Sequence, residues 1–188
     1  MTVRDDQRER VIGDLAGHLL RTGLSQASLR QLASAAGVSD RMLLYYFADK
    51  TEVLALALQK VAGDMAAGMG RAVPEGTRLD PDAFLAATAR HVVDGPFRPY
   101  MRLWIEIVAA AARREAPYVD IAAAITGGFL DWIESRLDPA RTPDPKGAAA
   151  RILATLDGLA LVDICSGQER ALAAVRDLER RSPRSSGQ

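Results

Sequence analysis

The sequence predicts an all-α protein: an N-terminal three-helix helix-turn-helix domain followed by a C-terminal helical domain. Three observations carry this. Apolar residues recur at three- and four-residue intervals along most of the chain, as on one face of a helix. Helix-start signatures stand before several of these segments: Ser28 with Gln31 and Asp49 with Glu52 as capping boxes, and Asp80 with Pro81 as an N-cap followed by a proline at the first helical position. Between Ser28 and Lys50, two short helical patterns are separated only by Gly37-Val38-Ser39, the punctuation of two helices joined by a tight turn.

The elements follow in order. From Arg8 to Arg21, Val11, Ile12, Leu15, Ala16, Leu19 and Leu20 repeat at helical spacing and predict a first helix that roofs the helix-turn-helix. His18 lies among them as a packed side chain, since no second His or Cys is spaced to join it on a metal. Residues before Arg4 are expected to fray. The second helix starts at Ser28, presents Leu29, Leu32 and Ala33 on one face and stops at Gly37, which is free to take a positive φ. Val38 is expected to plug between two helices and Ser39 to cap the third. There Leu43 and Phe47, four apart, turn inward together. Arg41, Met42 and Tyr45 then face outward, with Leu44 and Tyr46 on the flanks.

A solvated helix would carry charges on that outward side. A guanidinium, a thioether and two phenols instead suit a grooved polyanion: Arg reads guanine or binds phosphate, apolar atoms meet thymine methyls, and Tyr hydroxyls donate to phosphate. The alternative is a tucked-in helix whose aromatics are core. Asp49 and Glu52 open a long helix from Lys50 to about Met69. Lys50 sits in its first turn, where a cation is unfavourable unless an anion is close, and a DNA phosphate is such an anion.

Downstream, residues 70–80 shift to Gly, Pro, Thr and charge and read as a loop. Gly63, Gly68 and Gly70 follow no strand and fit no phosphate-cradling motif. A helix runs from Asp80-Pro81 to about Val93 and stops at Gly95-Pro96. Another starts near Pro99, with Tyr100, Met101, Leu103, Trp104, Ile107 and Val108 apolar nearly all round, so it is expected to be buried. Tyr118 to Leu137 forms a helix striped by Ile121, Ile125, Phe129, Trp132 and Ile133. Gly127 and Gly128 inside it each cost about 1 kcal/mol relative to alanine, so a close approach of backbone or ligand is expected there. After a proline-rich loop over 138–145, Pro145 opens a helix carrying Ile152, Leu153, Leu156, Leu159, Val162 and Ile164. Its small residues make one side thin, suited either to an intrachain core or to a symmetric four-helix contact with a second copy. Gln168 to Arg181 adds an amphipathic helix, and residues 182–188 are expected to be disordered.

Ala36-Gly37-Val38-Ser39 followed by Leu43, Tyr46, Phe47 and Lys50 resembles the DNA-binding domain of TetR-family transcriptional regulators. Gly23, Ser28, Leu32 and Ala33 occupy that family's helix-one boundary and second-helix positions. The resemblance covers the first third of the chain; the remainder is similar only in length and helical layout. It implies a homodimer, with residues 1–50 as the DNA-binding domain and residues 51–181 as the ligand-binding and dimerisation domain. Lys50 matches the family's phosphate-contacting lysine. Two departures bear on the operator: Arg41 stands where many members carry a small residue, and Leu44 where many carry a phosphate-contacting Tyr.

Composition narrows the function. Lys plus Arg and Asp plus Glu are both 24, so no global positive charge attracts nucleic acid and DNA binding must rest on a local patch. Its candidates are Arg4, Arg8, Arg10, Arg30, Arg41 and Lys50. Cys165 is the single cysteine, which excludes an intrachain disulfide and fits a reducing cytoplasm. Glu106 interrupts the best apolar run, so no membrane span is expected, and no signal core opens the chain. With two separated histidines and no nucleophile elbow, no catalytic set assembles: the protein is expected to be no enzyme and to need no cofactor or metal.

The function expected is a cytoplasmic, homodimeric repressor released from double-stranded operator DNA by a small molecule. Its DNA-binding residues would be Ser28, Ser39, Asp40, Arg41, Met42, Tyr45, Tyr46 and Lys50. Its ligand would meet Met65, Met69, Phe84, Phe97, Tyr100, Met101, Trp104 and Phe129, with His91, Arg102, Glu106 and Arg113 as candidate polar anchors. The alternative is a helical ligand-binding or interaction protein that has lost operator binding.

Overall fold

The computed structural model describes residues 3–181, so the expected tail over 182–188 lies outside the described residues. Among these, nine α-helices account for nearly all the regular structure: α1 (Val3–Thr22), α2 (Leu29–Ala35), α3 (Asp40–Tyr46), α4 (Lys50–Ala72), α5 (Pro81–Val93), α6 (Arg98–Ala112), α7 (Tyr118–Glu134), α8 (Pro145–Ser166) and α9 (Gln168–Arg181). Short 3-10 turns cover Leu24–Gln26 and Gly95–Phe97. The chain divides into two compact units, Met1–Met65 with Arg102–Ile125, and Ala66–Met101 with Thr126–Gln188. Helices α4, α6 and α7 each begin in one unit and end in the other.

In the first unit, α1 packs on α2 and α2 on α3. The predicted apolar faces meet: Val11, Leu15 and Leu19 of α1, Leu32 of α2, Leu43 of α3 and Leu54 and Leu58 of α4 are buried. Full burial of such side chains contributes about 1.5–3 kcal/mol each. In the second unit α5, α8 and α9 pack on one another, with Phe84, Leu85 and Ala89 of α5, Ile152 and Leu156 of α8 and Val175 of α9 inside. The Thr88 hydroxyl is buried and donates to the Phe84 carbonyl at 2.9 Å, which satisfies it within its own helix.

Polar clamps fix the ends of these helices. Arg98 donates from Nε and Nη2 to both oxygens of the buried Asp163 carboxylate at 2.8 and 3.0 Å. Arg90 holds Glu179 in a second forked pair, and the Gln168 amide donates to the Val93 carbonyl at 3.0 Å. A bidentate guanidinium fixes direction as well as distance, so these contacts set the rotation of one helix on the next.

Several expectations are corrected. Helix α4 continues beyond Met69 to Ala72. Helix α7 ends at Glu134, because Leu137 is drawn into an isolated parallel bridge with Leu79, in which Leu79 N–H donates to the Arg136 carbonyl and Asp138 N–H to the Leu79 carbonyl. Helix α6 is not buried all round: Arg102, Glu106, Val108, Ala109 and Ala112 are exposed in the single chain, for polar residues and alanines interrupt its apolar surface on one side. Val162 and Ile164, read as part of the α8 stripe, are 37% and 43% exposed, because the buried row runs instead through Ile152, Leu156, Leu159, Ala160 and Asp163. Around Gly127 and Gly128 there is room for a Cβ: apart from the adjoining residues and the backbone of α7 itself, no atom of the described residues would lie within 4 Å of it. The close approach lies at Gly68, where a Cβ would stand 2.6 Å from the Phe97 ring.

Candidate nucleic-acid interface

The candidate interface is α3, and each turn of backbone leading to it has a local cause. Helix α2 is opened by a complete capping box: the Gln31 N–H reaches the Ser28 hydroxyl, and the Ser28 N–H donates to the Gln31 side chain at 3.0 Å. It closes in a Schellman turn, with Val38 N–H donating to the Ala33 carbonyl and Gly37 N–H to the Ser34 carbonyl. That turn needs Gly37 for its φ of 66° and not for space, since a Cβ there would meet nothing within 4 Å. The Ser39 hydroxyl then accepts from the Met42 N–H at 3.1 Å and starts α3. Val38 is half-buried.

Within α3, Leu43 is fully buried and Phe47, just past its end, is 2% exposed, so the inward side is anchored at its middle and at its C-terminal end. On the outward side Arg41, Met42, Leu44 and Tyr45 are exposed, Tyr45 at 59%. Tyr46 is half-buried, edge-on to Tyr45 with ring centroids 5.5 Å apart and to Phe47 at 6.5 Å. Ser28, Ser39, Asp40 and Lys50 are exposed. The hydroxyls of Ser28 and Ser39 already serve as caps, so a phosphate could meet them only as shared groups.

The basic candidates separate into two kinds. Arg8 donates to Glu52 at 2.6 Å and lies over the Phe47 ring with its guanidinium 5.0 Å from the centroid. Glu52 uses its other oxygen to accept from the Ala48 N–H at 2.6 Å. The expected capping box at Asp49 is therefore only half formed: Asp49 accepts from the Glu52 N–H, but Glu52 caps one residue earlier and takes Arg8 as its counter-ion. Arg8 thus belongs to the scaffold that sets the α3–α4 turn. Arg10 is paired with Asp14 at 3.8 Å. Arg30, Arg41 and Lys50 have no ion pair among the described residues and stand free for an external anion. Arg4 lies between these cases: its guanidinium stacks 4.9 Å over the Tyr45 ring and donates to the Tyr45 carbonyl at 3.3 Å, while the residue stays exposed.

The side chains expected to meet a ligand fall in several places. Met69, Phe84, Phe97 and Met101 are buried, and Met65, Tyr100, Trp104 and Phe129 half-buried. In the second unit Phe97 stands edge-on to His91 and tilted against Tyr100, with centroids 5.9 and 6.0 Å apart, whereas Phe84 pairs with Trp132 at 5.4 Å. The His91 Nδ1 there is buried without a hydrogen-bond partner.

A cavity of about 370 Å³ lies in the first unit, and none of those eight side chains lines it. Its walls include Leu24, Ser25, Glu106, Arg113, Glu115 and Tyr118. Arg113 and Glu115 pair at 2.5 Å, and this hydrogen-bonded contact holds the Glu115 carboxyl below its ordinary range. Burial, reinforced by the charges of Glu115 and Glu106, pushes the Tyr118 phenol up. Glu106, named as a candidate ligand anchor, lines this cavity and also accepts the Leu24 N–H at 2.7 Å through Oε2. Only Gly23, at the end of α1, hinted at this in the sequence. Among the described residues no group of three or more His, Cys, Asp or Glu could hold a metal ion, and no helix is long and apolar enough to cross a membrane.

Comparison with known proteins agrees with this geometry. Residues 18–57 match the model of the bacterial regulatory proteins, tetR family. No curated protein matches the chain. Among solved structures, a protein described as a TetR-family transcriptional regulator from Rhodococcus sp. is 22% identical with a TM-score of 0.72, over 93% of this chain and 97% of that one. A transcriptional regulator from Saccharomonospora viridis in complex with choline is 17% identical with a TM-score of 0.63, covering 95% and 97%. The multidrug binding protein EbrR complexed with proflavin is 22% identical with a TM-score of 0.64, covering 92% and 99%. The N-terminal helix-turn-helix module is thus that of the tetR family of bacterial regulatory proteins, and the chain as a whole has the fold of TetR-type transcriptional regulators.

Proposed function

We propose that this protein is a homodimeric transcriptional repressor that leaves its operator when a small molecule binds. One observation carries the DNA-binding part: α3 is pinned from beneath by Leu43 and Phe47 and exposes Arg41, Met42, Leu44 and Tyr45 together. Arg41 and Tyr45 read bases, Met42 meets thymine methyls, and Lys50, with the caps Ser28 and Ser39, Asp40 and the half-buried Tyr46, borders the phosphate track. Residues 1–50 form the DNA-binding domain in this reading, and 51–181 serve ligand binding and dimerisation.

The dimer is supported by exposed Leu161, Val162 and Ile164 on α8 and by the open space around Gly127, Gly128 and Gly158. Such helices can lie close to a second copy in a four-helix contact. Within the second unit, Met69, Phe84, Phe97, Tyr100, Met101 and Phe129 are the proposed effector contacts, and the buried, unpaired His91 Nδ1 supplies a polar anchor. Proflavin and choline in two similar structures support a small organic effector. Release requires the effector to favour the DNA-incompetent state by a few kcal/mol.

The test is selection of duplexes from a random pool by the full-length protein, then footprinting at several salt concentrations. The reading requires two protected half-sites about 34–36 Å apart and an affinity that falls steeply with salt. Salt-sensitive binding with no preferred sequence, or none at all, would leave the interaction-protein alternative.

A further inference from the structure

Three consecutive aromatic side chains, Tyr45, Tyr46 and Phe47, stand at the C-terminal end of α3, and α1 lays an arginine against each end of the run. Tyr45 meets Tyr46 edge-on with ring centroids 5.5 Å apart, and Tyr46 meets Phe47 in the same way at 6.5 Å. Arg8 lies over the Phe47 ring at 5.0 Å. Arg4, one turn earlier on the same face of α1, lies over the Tyr45 ring at 4.9 Å. All of these residues belong to the first unit. The two ends differ in what the arginine holds. Phe47 is buried, so Arg8 covers a ring that packing already fixes, whereas Tyr45 is exposed and packing alone does not fix it. Arg4 also donates from Nη2 to the Tyr45 carbonyl at 3.3 Å, in the last turn of α3, where carbonyls lack an intrahelical partner. One guanidinium thus holds both the backbone and the ring of the same residue.

We propose that Arg4 is a positioning residue for sequence recognition: stacked on Tyr45, it fixes the phenol so that its hydroxyl addresses one base pair. This rests on the DNA-binding reading above and adds a residue of α1 to the determinants of sequence preference on α3. An exposed phenol left alone samples several rotamers, and its hydroxyl, both donor and acceptor, can satisfy more than one base edge. The guanidinium against its face and the neighbouring Tyr46 ring restrict those rotamers before DNA arrives. The hydroxyl then meets one base in line and the others out of line, and less ordering is left to be done on binding. Arginine suits this task where lysine does not, because a planar fork stacks on a ring and donates in its own plane at once. The role also separates Arg4 from a residue that only meets phosphate, which positions the protein but discriminates no sequence.

The test compares the full-length wild type with Tyr45→Ala, Arg4→Ala, Arg4→Lys and the Arg4→Ala/Tyr45→Ala double variant. Without DNA, the Tyr45 ring signals of isotope-labelled tyrosine should move in Arg4→Ala, while the thermal midpoint stays near that of the wild type because Arg4 is exposed. With DNA, selection from a random duplex pool identifies the base pair whose preference Tyr45→Ala flattens. Arg4→Ala should lower the preference at that same base pair about two- to fivefold, the worth of a cation–π contact at an exposed site, and leave the base pair set by Arg41 unchanged. Arg4→Lys should keep the wild-type salt slope yet show most of this loss, and the double variant should be no less selective than Tyr45→Ala. Tyr45 signals that do not move in Arg4→Ala would overturn the stacking. Wild-type preference at every base pair in Tyr45→Ala would overturn the proposal as well. Uniform weakening of all duplexes by Arg4→Ala, full preference in Arg4→Lys, or additive losses in the double variant would each make Arg4 a charge acting independently of Tyr45, and so overturn it. Failure of the wild-type protein to select any duplex would instead strike the DNA-binding reading, which the tyrosine spectrum does not need.

Discussion

Two exposed apolar surfaces invite comparison, the outer side of α3 and the outer side of α8. Both break the rule that large apolar side chains turn inward, yet their chemistry differs. On α3 the exposed groups are Arg41, Met42, Leu44 and Tyr45, so a charge and a phenol accompany the hydrocarbon. On α8 they are Leu161, Val162, Ile164 and the thiol of Cys165, with no charge among them. A surface with polar handles can desolvate against a phosphate-lined groove and still satisfy its partner's acceptors. An aliphatic surface has nothing to offer a polyanion, and its gain comes from covering hydrocarbon with hydrocarbon. Exposure by itself therefore does not identify a partner, whereas the polar groups beside it do.

The comparison can be broken most severely at the anchor of α3. Phe47→Ala removes a ring that is 2% exposed, and is expected to cost about 3–5 kcal/mol in urea unfolding and to abolish selective DNA binding. If stability hardly changed, α3 would not be held from beneath and its outer side would have no fixed orientation. Next in size is Leu161→Glu. Because Leu161 is 48% exposed in the single chain, the folded protomer should lose less than about 1 kcal/mol, yet sedimentation should show monomers, and tight operator binding should vanish with them. A variant that stays dimeric would assign the aliphatic side of α8 some other role.

Smaller effects sharpen the α3 side. Arg41→Ala is expected to relax base preference at one position of each half-site by about 1–3 kcal/mol while leaving non-specific affinity nearly constant. Lys50→Ala should weaken all duplexes alike and lower the salt slope by about one ion per protomer. Exchange of these two behaviours would reverse the roles of reader and positioner. The smallest effect contrasts the open phenol of Tyr45 with the half-sealed one of Tyr118. Burial raises the Tyr118 pKa, so below pH of about 10 both folded and unfolded chains keep the proton and stability is unaffected. Above that the unfolded chain releases it first, and stability falls as pH rises toward the folded value. Tyr118→Phe should flatten this alkaline decline in pH-dependent thermal melts.

Gly128 gives a finer test of the second unit. Space around it is open, so Gly128→Ala in the Leu161→Glu background should gain about 1 kcal/mol from helix propensity alone. In the dimer the same methyl should reduce that gain, if α7 uses its small residues for contact with a second copy.

Local chemistry decided much of this protein by itself. The capping box at Ser28 and Gln31, the glycine at 37, the Ser39 cap and the Leu43–Phe47 pair act within a few residues of one another, so the helix-turn-helix and the outward placement of Arg41 and Tyr45 were legible in one dimension. The N-cap at Asp80 and the proline starts were equally local. Tertiary packing decided which charges remain free: Arg8 and Arg41 read alike along the chain, but Glu52 and the Phe47 ring claim the first and leave the second open. It decided that α6 shows one side to solvent, that a Cβ at Gly127 or Gly128 would meet no other element among the described residues, and that Glu106 reaches Leu24 across 82 residues. Periodicity records which face of a helix is apolar, but it carries no distance between side chains remote in sequence, and ion pairs and cavities depend on those distances.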